Sequence, residues 1–243
     1  MTASALLQLP QAAHDLLGIT LNEEQQRAFE AYSAALIDWN TRVNLTAITD
    51  PLAVEIRHFL DSLSVLKAFT SPLSETIRLI DVGTGAGFPG LPLRILLPTL
   101  HLTLLEATGK KTAFLQHVVD TLHLDHVEVV NLRAEEAGQL PEYRGQFDVV
   151  AARAVARLPV LAEYLLPLCK IGGRCIALKG ESAAAEVQAS RHAIRLLGGR
   201  FGSLIKVELP TVNEPHYLIV IEKVAATPPS YPRRPGLPAK APL

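Results

Sequence analysis

Cysteine is scarce: Cys169 and Cys175 are the only two in 243 residues. That number excludes a disulfide framework, and neither has the His/Cys company of a zinc site. They read as small core residues in a reducing compartment. Charge of one sign is also missing. The net charge is −1 and the pI about 6.7, so global electrostatics give no argument for a nucleic-acid partner and only local patches can. No run of about 18 uncharged apolar residues occurs, which leaves no candidate transmembrane helix. The first ten residues lack a basic region, and their apolar run is too short for a signal peptide. The expectation is a cytoplasmic protein without a membrane partner and without a metal.

Apolar residues are abundant, at 49%, against 19% charged. That composition can bury a large core. Residues 1–76 read as a helical segment. Asn22 and Gln25 fit a capping box, and Phe29, Tyr32, Leu36 and Trp39 follow at helical spacing. Asn40 and Asn44, four apart, are expected on one helix face, Asn40 in a structural role. Asp50-Pro51 marks a second helix start, with Ile56, Phe59, Leu60, Leu63 and Leu66 on one face. Ser71-Pro72 breaks the pattern.

From residue 77 the period changes. Strands are expected at Ile77–Val82, Leu100–Glu106, Val127–Val130, Phe147–Ala151 and Arg174–Lys179, the last preceded by a Gly172-Gly173 turn. Helices at Leu91–Leu97, Lys110–Leu122, Leu158–Leu168 and Ala183–Leu197 alternate with them. Phe201–Leu209 and His216–Val224 read as an antiparallel pair. The fold class is therefore α/β: a Rossmann-like, mostly parallel seven-stranded sheet with a terminal antiparallel strand, spanning 77–224. Residues 225–243 form a Pro-rich basic tail.

The strongest local signal is Asp81-Val-Gly-Thr-Gly-Ala-Gly-Phe-Pro-Gly90, between a strand and a helix at the carboxyl edge of the first strand. Open α/β sheets bind ligands there. Two cofactors suit it. Gly85-Ala-Gly-Phe-Pro-Gly90 matches the dinucleotide pattern literally, and Glu106 stands near the spacing of a ribose-binding acid. Three features favour S-adenosylmethionine instead: Asp81, placed to orient an ammonium group directly or through water; one more glycine at the front of the loop; and the antiparallel pair at the end of the sheet. Ala134-Glu135, after the third strand, borders an adenine-sized slot or opens a solvated helix. Arg153, among alanines at the end of the fourth strand, is better placed for ligand than for packing.

Taken with Trp39-Asn-Thr-Arg-Val-Asn-Leu-Thr46, Arg57-His-Phe-Leu-Asp-Ser62, Leu178-Lys-Gly180 and Tyr231-Pro-Arg-Arg-Pro-Gly-Leu-Pro-Ala-Lys-Ala-Pro-Leu243, this loop resembles the RsmG (GidB) family of methyltransferases over nearly the whole chain. The resemblance implies S-adenosylmethionine as cofactor and guanine N7 of 16S ribosomal RNA, within a small-subunit particle, as acceptor. It implies cofactor contacts from Gly83, Gly85 and Phe88, a ribose region at Glu106, Ala107 and Thr108, adenine near Ala134 and Glu135, and Arg153 near the methionine end or the target base. Arg153 is a positioning candidate, and no catalytic residue is assigned. Residues 1–79 hold nine acids and five bases, whereas residues 80–243 hold fifteen and eighteen. Candidate phosphate contacts are Arg57, His58, Lys110, Lys111, Arg153, Arg157, Lys179, Arg233, Arg234 and Lys240, with the acid-free tail favoured. A monomer is expected. The competing readings are an NAD(P)-dependent oxidoreductase, whose sheet would lack the antiparallel hairpin, and a non-catalytic RNA-binding factor.

Overall fold

A computed structural model describes residues 8–69 and 76–243. The Ser71-Pro72 break and residues 1–7 lie outside the described residues. Seven strands form one sheet in the order β3-β2-β1-β4-β5-β7-β6. They are β1 (Arg78–Val82), β2 (His101–Leu105), β3 (Val127–Val130), β4 (Phe147–Arg153), β5 (Cys169–Lys179), β6 (Gly199–Val207) and β7 (His216–Lys223). β1 to β5 pair in parallel, and β7 runs antiparallel to both β5 and β6.

Alternation along the central strands feeds two cores. Leu79, Leu102, Leu104, Val149, Ala151, Ile176 and Leu218 face one side, and Ile80, Val82, Leu105, Val150, Ala152, Cys175 and Ile219 face the other. Because both faces are covered, these strands read as near-continuous apolar runs. The first side is covered by α1 (Leu9–Leu17), α2 (Glu23–Asn40), the 51–68 segment, α5 (Gly90–Leu96) and α6 (Gly109–Thr121). The second is covered by α7 (Ala134–Ala137), α8 (Leu158–Leu165) and α9 (Ala183–Leu196).

The N-terminal layer has local causes. Asn22 and Gln25 form both bonds of a capping box at the start of α2. Asp50 accepts from the Ala53 amide, with Pro51 as the first residue of α3 (Pro51–Val54). Glu55 accepts from the amides of Gln8 and Leu9 at 2.8 Å each, which satisfies two donors at the start of α1.

Four expectations need correction. Asn44 is not on a helix, because α2 ends at Asn40. The Asn40 side chain instead pins the following loop, accepting from Leu45 and Thr46 amides and donating to the Thr46 carbonyl. The expected one-sided helix after Asp50 is not uniform. It widens to a π-type turn over Glu55–Leu60, continues as α4 (Asp61–Leu63) and tightens to a 3-10 turn over Ser64–Ala68. Polar Glu55, His58, Asp61, Ser62 and Ser64 are buried along with its apolar residues. A stripe argument assumes one wet face, and residues 58–65 are buried without a break. Gly172-Gly173 does not precede the fifth strand but lies inside it, at an irregularity in its pairing with β4.

The fourth concerns the tail, which is packed. Arg144 donates to the carbonyls of Gly138, Thr227, Pro228 and Tyr231. Arg233 forms a two-pronged ion pair with fully buried Glu163, at 2.6 to 3.2 Å. The last short helix, α10 (Leu237–Lys240), follows. Among the described residues no helix is long and apolar enough to cross a membrane.

Removing one partner of a buried pair leaves an uncompensated charge. Glu163→Ala is therefore expected to cost about 3 kcal/mol in urea unfolding and to expose residues 225–243 to limited proteolysis. Unchanged stability with an intact tail would contradict this account.

Candidate active site

The carboxyl ends of β1 and β4 meet where the strand order reverses, and the chain leaves β1 as the glycine loop. Gly83, Gly85 and Gly87 have φ of +65°, +62° and +100°, values that favour glycine. Space confirms the requirement at Gly87, where an added Cβ would lie 2.4 Å from Leu91 Cδ1 and 2.5 Å from the Tyr32 hydroxyl.

Three side chains hold the loop. Asp81, wholly buried beneath it, accepts through Oδ2 from Thr84 Oγ1 at 2.6 Å and from the Gly90 amide at 2.8 Å. Glu106, at the end of β2, accepts from the Gly85 amide at 3.0 Å and from the Thr108 amide at 2.8 Å. Tyr32 of α2 donates to the Ala86 carbonyl and stacks on Phe88 at 5.5 Å. Burial pushes the Tyr32 phenol well above its ordinary value, so it remains a donor.

Beside the loop is a cavity of about 540 Å³. Gly83, Thr84, Gly85, Ala86 and Phe88 form one wall. Thr46, Arg57, His58, Asp61, Lys111, Arg153, Ala154, Leu178, Lys179 and His216 form the others. A larger depression, about 630 Å³, lies between α1 and Glu208–Pro210, away from the glycine loop.

Arg153 is the centre of the polar wall. Its guanidinium sits 4.7 Å from the Phe88 ring centre and donates to the Arg57 carbonyl and to Asp61 Oδ2, at 3.0 and 3.2 Å. His58 stacks on Phe88 at 4.6 Å. Burial first, and then the charge of Arg153, lower its pKa to about 4, so it is neutral at pH 7. His58 Nδ1 lies 3.2 Å from both Arg153 Nη2 and the Arg57 carbonyl, and Nε2 lies 2.8 Å from Thr46 Oγ1. Ala154, next to Arg153, holds φ +56°, an unusual conformation for alanine.

The residues expected from sequence divide clearly. Gly83, Gly85, Phe88, Arg153, Arg57, His58, Lys111 and Lys179 meet at the cavity. Asp81 is one layer below it, so its observed contacts hold the loop rather than face a ligand. Glu106, Ala107 and Thr108 lie beside the loop, outside the cavity wall. Ala134 and Glu135 begin α7, but the Glu135 carboxylate accepts from the Gly236 amide of the tail at 2.9 Å. Three expected phosphate contacts have their charge matched inside the protein: Arg233 by Glu163, Lys179 by Glu186 at 2.8 Å, and Arg153 by Asp61 at 3.2 Å. Lys110, Arg157, Arg234 and Lys240 are exposed and outside the cavity wall. Sequence reasoning missed Thr46, Asp61 and His216 as site residues. Thr46 and Asp61 stand in the Trp39–Thr46 and Arg57–Ser62 motifs, a signal that could have found them; His216 carries none.

S-adenosylmethionine fits this site on two observations. A Cβ on Gly85 would have only the Gly83 carbonyl, 3.9 Å away, for company, so the backbone there is open to close approach. Asp81 Oδ1 is buried with no hydrogen-bond partner, leaving negative charge under the loop that a cationic ligand would offset.

Among solved structures, a SAM-dependent methyltransferase from Aquifex aeolicus aligns with a TM-score of 0.52 at 19% identity, covering 71% of this chain and 93% of that one. The antiparallel β7 is absent from the sheet expected of a dinucleotide oxidoreductase, and fold and site together define a class I S-adenosylmethionine-dependent methyltransferase. A family model described as GidB, rRNA small subunit methyltransferase G, matches residues 25–212. Relatives named ribosomal RNA small subunit methyltransferase G are 54% identical over 226 residues in Roseiflexus castenholzii and 48% over 227 in Dehalococcoides mccartyi. Each alignment covers 93% of this chain and 95% of the relative. The chain belongs to the rRNA small subunit methyltransferase G family.

Burial raises the Asp81 pKa from 3.8 to about 6. A carboxyl raised in the folded state contributes stability fully present below pH ~4 and lost as pH rises through ~6. The stability of the ligand-free wild type relative to Asp81→Asn is therefore expected to fall by about 2 to 3 kcal/mol between pH 4 and 7. Urea unfolding of both proteins across that window tests it; parallel curves would contradict the burial of an ionisable Asp81.

Proposed function

We propose that the protein methylates N7 of a guanine in 16S ribosomal RNA, acting as a cytoplasmic monomer on a small-subunit particle. The observation that carries the reading is the cavity itself. It joins the glycine loop to a wall of Phe88, Arg153 and His58 that also carries Arg57, Lys111 and Lys179.

S-adenosylmethionine supplies an electrophilic methyl group on a sulfonium. Guanine N7 carries an in-plane lone pair, so attack needs no prior removal of a proton. His58 suits that chemistry, being neutral with both ring nitrogens engaged. The work left to the chain is alignment and exclusion of water. Phe88, buried among His58, Arg153 and Tyr32, holds the side chains of the polar wall in place. Gly83 and Gly85 bring the backbone close to the methionine end, and Glu106 supplies acceptors for a ribose. Arg57 pairs with Glu214 at 3.2 Å in an exposed bridge, which is weak and exchangeable for a phosphate. Lys110, Arg234 and Lys240, all exposed, supply further phosphate contacts.

Incubation with tritiated S-adenosylmethionine and 30S particles from a strain lacking this gene should place label on one guanine N7 of 16S RNA. The same RNA stripped of protein should accept less. Cofactor binding without label on either substrate would overturn the proposed acceptor. Separately, Glu106→Ala should raise the calorimetric Kd for S-adenosylmethionine roughly ten- to hundredfold, the loss of one or two charge-assisted hydrogen bonds. Unchanged affinity would remove Glu106 from the ribose site.

A further inference from the structure

Among the described residues, the cavity wall holds four cationic side chains, Arg57, Lys111, Arg153 and Lys179, two histidines, and a single acid, Asp61. That imbalance is awkward for a methyltransferase. In the transfer, the acceptor lone pair forms the new bond to carbon and the S–C electron pair stays on sulfur. Positive charge thus leaves the sulfonium for the acceptor base and remains in the cavity throughout. Lys179 is already matched by Glu186, and Arg57 meets Glu214 at the surface. The charge of Arg153 lies over Phe88 in the cavity wall, beside the glycine loop.

Asp61 answers it from a buried position. Its side chain is 8% exposed, with Oδ2 3.2 Å from Arg153 Nη1 and Oδ1 3.4 Å from His216 Nδ1. It therefore links the end of β4 to the start of β7 across the cavity. We propose that Asp61 is the charge-balancing and positioning residue of this pocket. It orients Arg153 and His216 and offsets the field of Arg153, so that cationic S-adenosylmethionine is held in preference to its neutral product, S-adenosylhomocysteine.

This inference rests on the cavity being the methyl-transfer site, not on the identity of the acceptor. Its test needs no RNA. Calorimetry would give Kd for both ligands with wild type, Asp61→Asn and Asp61→Glu. Loss of one unit charge on the order of 10 Å away, at an effective dielectric of about 20, should lower the preference for S-adenosylmethionine roughly tenfold in Asp61→Asn. Asp61→Glu should restore it. A merely structural role would weaken both ligands alike, and that result, or an unchanged ratio, would overturn the proposal. If Asp61→Asn does not fold, Arg153→Met decides. Removing the cation should raise the preference by a similar factor, and no change would overturn the proposal. Absence of methyl transfer to 16S RNA alongside a shifted ratio would contradict the proposed acceptor and leave this inference standing.

Discussion

The site depends on one buried carboxylate. Asp81, the last residue but one of β1, lies under the glycine loop and gathers two of the loop's donors on a single oxygen. The cost of burying that group is repaid in geometry. With Thr84 and Gly90 tied to the same atom, the loop's two ends are fixed to β1, and the glycines between them adopt the left-handed turns that no other residue takes as readily. Glu106 fixes the middle of the loop from the neighbouring strand, and Tyr32 fixes it from the helical layer. Close packing on every side is what lets short side chains define a cofactor surface made of backbone.

The helical layer before β1 is thereby part of the site. α2 supplies Tyr32. Asn40, at the end of α2, shapes the loop carrying Thr46, and Thr46 meets His58. The π-type turn that follows sets His58 and Asp61 toward the end of β4, where Arg153 joins them. Widened helical turns are frequent at functional sites because they re-aim side chains that a regular spiral would place elsewhere. The polar wall of the cavity thus joins residues 46–61 to Arg153, which lies 92 positions beyond Asp61 in sequence.

That separation explains what could be read in advance. The glycine loop and the capping box at Asn22 are local patterns, and the strand–helix alternation and the terminal antiparallel pair are successions of local ones. Arg153 was legible because a charged residue among alanines at a strand end has no packing rationale. Asp61 and Thr46 sat in recognised motifs, but nothing local said that their side chains turn inward. The partners of Lys179 and Arg233 were invisible for the same reason. An ion pair such as Arg233–Glu163 joins residues 70 apart, and composition shows only a basic tail. Of the tail's three cations, Arg233 is taken up by that buried acid, while Arg234 and Lys240 stay exposed.

The central claim is that the protein's own hydrogen bonds preform the glycine loop before any ligand arrives. Amide hydrogen exchange in the cofactor-free protein tests this most directly. The amides of Gly85, Gly87, Phe88 and Gly90, bonded to Glu106, to the Thr84 carbonyl twice and to Asp81, should be protected to a degree comparable with β1 itself. Exchange at close to unprotected rates, slowed only when S-adenosylmethionine is added, would show that the ligand builds the loop and would contradict the account.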